Sequence, residues 1–172
     1  MRTRFWRQRS KIISATLTLI ASLLLTGCLG NDEEDWNGKN ISGLMPKLEF
    51  DLINSQGKSV SGDDYSGRVR MLFFGFTSCP DVCPTALQKL NQATSGLDPA
   101  LQDEVLTLFV SVDPKRDTPE RLAKYVDFFG DNIVGLTGKE PQLRELAKRY
   151  RTTFGYDEPA ADGNYAVSHS SA

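Results

Sequence analysis

Met71-Leu72-Phe73-Phe74-Gly75-Phe76-Thr77-Ser78-Cys79-Pro80-Asp81-Val82-Cys83-Pro84-Thr85 is the stretch whose reading decides the fold. It opens as an apolar run and closes on two cysteines four positions apart. Residues 71–76 show no polar alternation, which predicts a central strand covered on both faces. Residues 82–90 then read as a helix, so the cysteines fall where a buried strand turns into a helix. The first amides of a helix have no partner inside it, and the helix dipole is positive there. A thiol at such a place is expected to have a lowered pKa, and the thiolate is the form that attacks disulfides and binds metals.

Residues i and i+4 share a helix face. At that spacing two Cα atoms stand roughly 6 Å apart, within reach of a disulfide. The pair can therefore be a dithiol, a disulfide or two metal ligands. Pro80 and Pro84 suit a first helical turn, where a missing N–H costs little. Cys83, Leu87 and Leu90 share the face expected to be buried. Cys79 precedes that turn and is expected to be the more exposed, attacking sulfur.

Outward from this stretch, Leu48 to Ile53 reads as a strand, and Asn54-Ser55-Gln56-Gly57 as a turn into a short partner strand. Val105 to Val112 is a second run that is mostly apolar, again a central strand. Thr118 to Phe129 is a helix, with Asp117 or Thr118 as cap, Pro119 in the first turn, and Leu122, Tyr125, Val126 and Phe129 on one face. Gly130 suits its end. Ile133 to Leu136 is a short strand, and Glu140 to Tyr150 a third helix with Leu143, Leu146, Ala147 and Tyr150 on one face. Residues 152–156 and 164–167 read as extended pieces around a Pro/Gly loop. Strands alternating with helices predict a three-layer α/β sandwich around a mostly parallel sheet.

The chain has 172 residues and a formal net charge of −2. Its first 27 residues hold five basic side chains and no acidic one, leaving 15 basic against 22 acidic residues beyond them. That balance excludes a nucleic-acid-binding surface as the organising feature. Arg2, Arg4, Arg7, Arg9 and Lys11 precede a short apolar run, Ile12 to Leu25, as in a signal peptide. Leu25-Thr26-Gly27-Cys28 resembles the bacterial lipobox, which implies a lipid on Cys28 as the mature N-terminus. Residues 28–45, with Asp32-Glu33-Glu34-Asp35, read as a flexible acidic tether, and residues 46–172 as the globular domain. The domain is thus expected to be exported and held at a membrane. With Cys28 consumed by lipid, Cys79 and Cys83 are the remaining pair, and an oxidising compartment favours their disulfide unless they are reduced or metallated.

His169 is the single histidine. Taken alone, one histidine near a chain end is ordinary surface. Beside a dithiol it becomes a candidate third ligand: two thiolates and one imidazole make a soft, low-coordinate set that suits Cu(I). Structural zinc prefers four Cys or His ligands. Asp81 or Asp113 can complete a zinc or Cu(II) shell, so those metals stay open. A plain structural disulfide closing so small a loop would contribute little in the chain-entropy model. Asp113-Pro114-Lys115-Arg116-Asp117-Thr118 reads either as a strand-to-helix turn with a cap or as a support that orients the metal site through Asp113.

Gly75 to Pro84, then Val110-Ser111-Val112-Asp113-Pro114 with Arg116-Asp117-Thr118-Pro119, then Gly135-Leu136-Thr137-Gly138, then Tyr165-Ala166-Val167-Ser168-His169-Ser170 resemble the Sco/SenC family over roughly residues 45–172. The resemblance implies a thioredoxin-like fold with an N-terminal β-hairpin addition. It implies a copper site made by Cys79, Cys83 and His169, with Asp81 and Asp113 in supporting motifs. It also implies a role in assembling the copper centre of cytochrome c oxidase, by delivering copper, by reducing the target's cysteines, or both. The partners so implied are the copper-centre subunit of the oxidase and other copper carriers or thiol reductants. The lipid would then hold the protein at the outer face of the inner or plasma membrane, although Leu29 is not an Asp-type inner-membrane retention signal. Family members continue past the position of Ala172 into another strand and a C-terminal helix, so a last strand and helix are expected to be missing here. The alternative is a thiol–disulfide oxidoreductase without a metal, although the motif lacks the Trp of WCxxC and has one residue more between the cysteines. The Pro-x-x-x-Thr-x-x-Cys pattern of peroxiredoxins is absent, and an interaction domain with a structural disulfide is a further reading.

Overall fold

The structure is a computed structural model that describes residues 37–170. The signal segment, Cys28 and the tether up to residue 36 lie outside the described residues. The chain divides into residues 1–41 and 42–172. In the first, the described residues 37–41 form no helix or strand. Everything below belongs to the second. Among the described residues no helix is long and apolar enough to cross a membrane.

Strands β1 (Asp51–Asn54) and β2 (Ser59–Ser61) form an antiparallel hairpin. Its turn is closed by the Asn54 side chain, which accepts from the amides of Gln56 and Lys58, both at 3.0 Å. A short 3-10 turn (Gly62–Tyr65) leads to β3 (Val69–Gly75), α1 (Val82–Ser95) and the one-turn helix α2 (Pro99–Gln102). Then come β4 (Val105–Ser111), α3 (Pro119–Asp127), β5 (Ile133–Thr137) and α4 (Glu140–Arg149). The described chain finishes with β6 (Phe154–Tyr156) and β7 (Val167–His169), an antiparallel pair forming a sheet of their own. The main sheet runs β2-β1-β5-β4-β3. Its β3, β4 and β5 are parallel, and β1 joins β5 antiparallel. The expected hairpin addition is present, and the sheet is mixed: β3, β4 and β5 pair in parallel, whereas β1 pairs antiparallel with both β2 and β5.

The layers follow from alternation along β4. Leu106, Leu108 and Val110 face a cluster completed by Leu143, Leu146 and Ala147 of α4. Phe109 faces the other way, onto Leu87 of α1 and Leu122 and Val126 of α3. Helices thus cover both faces of the sheet, and β4 reads as largely apolar, interrupted only by buried Thr107 and Ser111, because both of its faces are buried.

The stretch 71–76 does not take the central place expected of it. The middle place belongs to β5, with β4 beside it in the interior, and β3 lies at the edge of the described sheet with β4 as its partner. Leu72 and Phe74 do meet one apolar cluster and Phe73 the other. An apolar run reports that both faces carry contacts, and it does not report the order of strands; with one strand neighbour, residues 71–74 stay half-buried. The expectation for Pro80 is also corrected: α1 begins at Val82, and Pro80 lies in the preceding bend, outside the first turn. Thr118, rather than Asp117, caps α3, its hydroxyl accepting from the amide of Arg121 at 3.3 Å.

Strands β3 and β4 end together, with Gly75 opposite Ser111. The segments 76–81 and 112–118 therefore emerge side by side at the carboxyl edge of the sheet, the edge where open α/β sheets place their sites.

Candidate metal centre

The cysteine side is built from the end of β3 and the start of α1. Cys83 lies on the inward face of α1 with Leu87, and both are fully buried. Room for the Cys83 sulfur comes from Gly75: a Cβ there would stand 2.9 Å from Sγ and 2.7 Å from Phe109 Cε2. Any larger residue would collide with the thiol and the core ring together. Cys79 is half-buried just before the helix. Its Sγ accepts from the amide of Cys83 at 3.3 Å, so the unpartnered amides of the helix start do face one sulfur. The two thiols are free, and Cys79 is the more accessible, as expected.

The expectation of a lowered pKa fails for Cys83. Burial, joined by the hydrogen bond with Cys79, pushes its thiol up to about 12. Removing the sulfur from water disfavours the anion more than the hydrogen bond with the Phe76 backbone favours it. Cys83 is therefore a protonated thiol beside a more exposed one.

His169 arrives from the last position of β7. Its Nδ1 lies 3.3 Å from the Ser170 carbonyl oxygen, which can only accept, so that contact assigns the ring proton to Nδ1. The Nε2 lone pair then faces Cys83 Sγ at 3.8 Å. The edge-to-face contact with Phe76, at 6.1 Å between centroids, holds the ring from the side. One ligand atom each from Cys79, Cys83 and His169 lies within 4.8 Å of the others.

Neither candidate carboxylate joins this group. Asp81 is exposed at the start of α1, where Thr85 Oγ1 donates to it at 3.3 Å. Asp113 is fully buried with both oxygens engaged: Arg116 Nε donates to Oδ2 and the Tyr165 hydroxyl to Oδ1, each at 2.5 Å. Asp117, equally buried, faces the cysteine loop instead. It accepts from the Thr77 amide at 2.8 Å, the Thr77 hydroxyl at 2.6 Å and the Ser111 hydroxyl at 2.6 Å. Arg121 donates to Thr77 Oγ1 at 2.7 Å and to Ser78 Oγ at 3.0 Å from the outside. Gly75, Thr77, Ser111, Asp117 and Tyr165 thus have functions in the site that the sequence reading did not assign. The one signal for them was their place inside contiguous motifs.

Two sulfurs and one imidazole nitrogen at these separations fit a soft ion of low coordination number, and the described residues offer no fourth ligand that tetrahedral structural zinc would take. With no metal the same two sulfurs can form a disulfide.

The sequence model of the SCO1/SenC family matches residues 43–172. The SCO2-like protein RC0895 of Rickettsia conorii is 37% identical over 167 residues, which cover 93% of this chain and 80% of that one. The human mitochondrial SCO1 homolog is 39% identical over 121 residues, 70% of this chain but 40% of its own length. Among solved structures, Arabidopsis thaliana ScoI with copper bound aligns with a TM-score of 0.65 at 36% identity, covering 73% of this chain and 78% of that one.

Proposed function

The chain belongs to the SCO1/SenC family, and from that premise we propose that it carries copper, held by Cys79 Sγ, Cys83 Sγ and His169 Nε2. The observation that carries this reading is the meeting of Cys83 and His169, 86 positions apart, with Cys79 completing a soft three-donor set. Copper bound to the Arabidopsis relative supports the identity of the metal. Copper is cargo here: the receiving protein takes it with soft ligands of its own, as the Cu(I) preference for thiolate requires. We extend the proposal to the role the resemblance implies, assembly of the copper centre of cytochrome c oxidase. The basic and apolar segments before Cys28 further support export, and Leu25-Thr26-Gly27-Cys28 supports a lipid anchor on Cys28; the oxidase role favours the inner or plasma membrane over the outer membrane.

Loading requires both sulfurs as thiolates, so the Cys83 proton must leave as the metal enters. The Ser170 carbonyl keeps the other imidazole proton on Nδ1, leaving Nε2 free to bind.

A second activity is favoured by one observation, the Cys83 amide donating to Cys79 Sγ beside a protonated Cys83. Cys79 as thiolate would attack a partner's disulfide, forming a mixed disulfide and releasing one partner thiolate. Cys83, losing its proton, would then attack Cys79, releasing the second partner thiol. The partner gains two electrons, and Cys79–Cys83 is left as the disulfide, which holds no Cu(I). Redox state thereby switches metal binding.

The test is an anaerobic Cu(I) titration of the reduced chain against a competing chelator, beside a His169→Ala variant. Tight binding of one copper, weakened in the variant, is the expected result. No competitive binding by the wild-type chain overturns copper carriage and leaves thiol–disulfide exchange. Equal binding by both chains removes His169 from the site.

A further inference from the structure

We propose that Tyr165 is a positioning residue for His169, acting through Asp113 and Arg116. The inference rests on the copper reading above for its consequence, but not for its geometry.

His169 sits on a small element. Strands β6 and β7 are three residues each and pair mainly with one another. Such a hairpin is marginal unless tied to something larger. On the β6 side the tie is the buried Phe154, with Arg144 stacked over its ring at 4.6 Å, and the Tyr156 hydroxyl donating to the Val112 carbonyl at 2.6 Å. On the side that leads into His169 it is Tyr165.

Tyr165 is gripped at three points. Its hydroxyl donates to buried Asp113, its carbonyl accepts from Arg116 at 3.1 Å, and its ring lies under the Arg116 guanidinium at 4.1 Å. Arg116 in turn closes the other oxygen of Asp113. A buried carboxylate demands such partners, since an unpaired one is costly. The clasp is therefore specific in direction and not a loose surface contact.

The consequence for His169 comes from strand periodicity. Residues 165, 167 and 169 are half-buried, and 166, 168 and 170 are exposed. Tyr165, Val167 and His169 thus share one face, as i, i+2 and i+4 of an extended chain do. A slip of one residue would turn the imidazole outward. Anchoring Tyr165 selects the register in which it points at Cys83. The anchoring turn, residues 113–118, also grips Thr77 through Asp117, so a single turn positions the cysteine loop and the histidine strand relative to one another.

The experiment uses the whole chain with Tyr165→Phe, Arg116→Gln and each combined with His169→Ala. Tyr165→Phe keeps the ring and removes the hydroxyl. Three quantities are read: Cu(I) affinity against a chelator, the rate of disulfide exchange at Cys79, and in the metal-free protein the nuclear Overhauser contact between His169 and Phe76. The last is unambiguous because the chain holds one histidine. The expected result is an affinity about tenfold lower for Tyr165→Phe, the scale at which supporting residues act on a metal site. That loss should vanish in the His169→Ala background, the exchange rate should stay at the wild-type value, and the His169–Phe76 contact should weaken. Arg116→Gln should likewise lower the affinity and weaken the His169–Phe76 contact, while the exchange-rate criterion is read on Tyr165→Phe, which leaves Asp113 its guanidinium. Wild-type affinity with an intact ring contact overturns the proposal. An affinity loss that persists without His169, or a matching loss of exchange rate, overturns it too, because the substitution then acts on the fold at large. A wild-type chain that binds no copper defeats the copper reading alone, and the ring contact still decides the fate of the clasp.

Discussion

The two halves of the site are held by opposite means. The cysteine half is set in the core: Cys83 has no exposure, Gly75 yields its space, and Leu87 continues its face into the apolar layer under α1. The histidine half is a short hairpin that seats Phe154 in the core and is otherwise held by directed hydrogen bonds and two stacked guanidiniums, Arg116 over Tyr165 and Arg144 over Phe154. Packing answers to volume and does not hinge on any single hydrogen bond. A hydrogen-bonded clasp is the reverse, since it depends on individual atoms. The sulfur pair should therefore keep its chemistry when the hairpin is perturbed, while metal affinity should respond to both halves.

The largest effect should come from the shared sulfur. Cys83→Ser is expected to abolish both copper retention and disulfide exchange, read by metal content after desalting and by exchange kinetics. Copper retained at wild-type stoichiometry would break the three-donor site. Next, His169→Ala should weaken copper by more than about 100-fold, beyond the loss typical of a supporting residue. It should leave disulfide exchange unchanged, and a parallel fall in exchange would erase the division between the two halves.

Asp117→Ala addresses the network under the cysteine loop. It strands the Thr77 amide and the buried Ser111 hydroxyl, each at a cost of about 1–3 kcal/mol. A thermal melt should show a drop of roughly 6–12 °C for a loss of about 3 kcal/mol in a domain of this size. An unchanged melting temperature would mean that the loop is held by packing alone.

The smallest step is in pH. Cys83 holds its proton up to about 12, raised from an ordinary 9.0. Metal entry expels that proton, so copper affinity should rise about tenfold per pH unit for each proton released, over the range below that value. For the metal-free fold the sign is opposite. A raised pKa contributes stability that is present in full below the unfolded value and is lost as pH rises through the folded one. Stability should thus decline between about pH 9 and 12. Isothermal titration at several pH values and melts across the alkaline range measure the two slopes.

The Cys79–Cys83 pair, the helix that follows it and the alternation of strands and helices were legible because each rests on spacing within a few turns of chain. The face of α1 carrying Cys83 and Leu87 came directly from the helical repeat. Other features escaped the sequence. Residues 71–76 were read as a central strand, since apolar content records contacts on two faces without recording neighbours. A thiol at this strand-to-helix turn was expected to have a lowered pKa, yet for Cys83 burial behind Gly75 reverses the sign. Asp113 was singled out both as a carboxylate able to complete a metal shell and as a support that orients the site; in the structure it joins no ligand group and is closed by Arg116 and Tyr165. Tyr165 carried no signal beyond its position in a motif, because its partner is 52 positions away.

The sequence by itself determined which atoms can do the chemistry, two thiols and one imidazole, and which local elements present them. Side-chain type and the 2- and 3.6-residue repeats are properties of neighbours along the chain. The tertiary structure alone decided that His169 meets Cys83 across 86 positions. It also decided that Asp113 and Asp117 turn to opposite halves of the site, and that one sulfur is buried while the other is reachable. Those outcomes depend on which surfaces exclude water against one another, a sum over the whole packed domain that no local spacing contains.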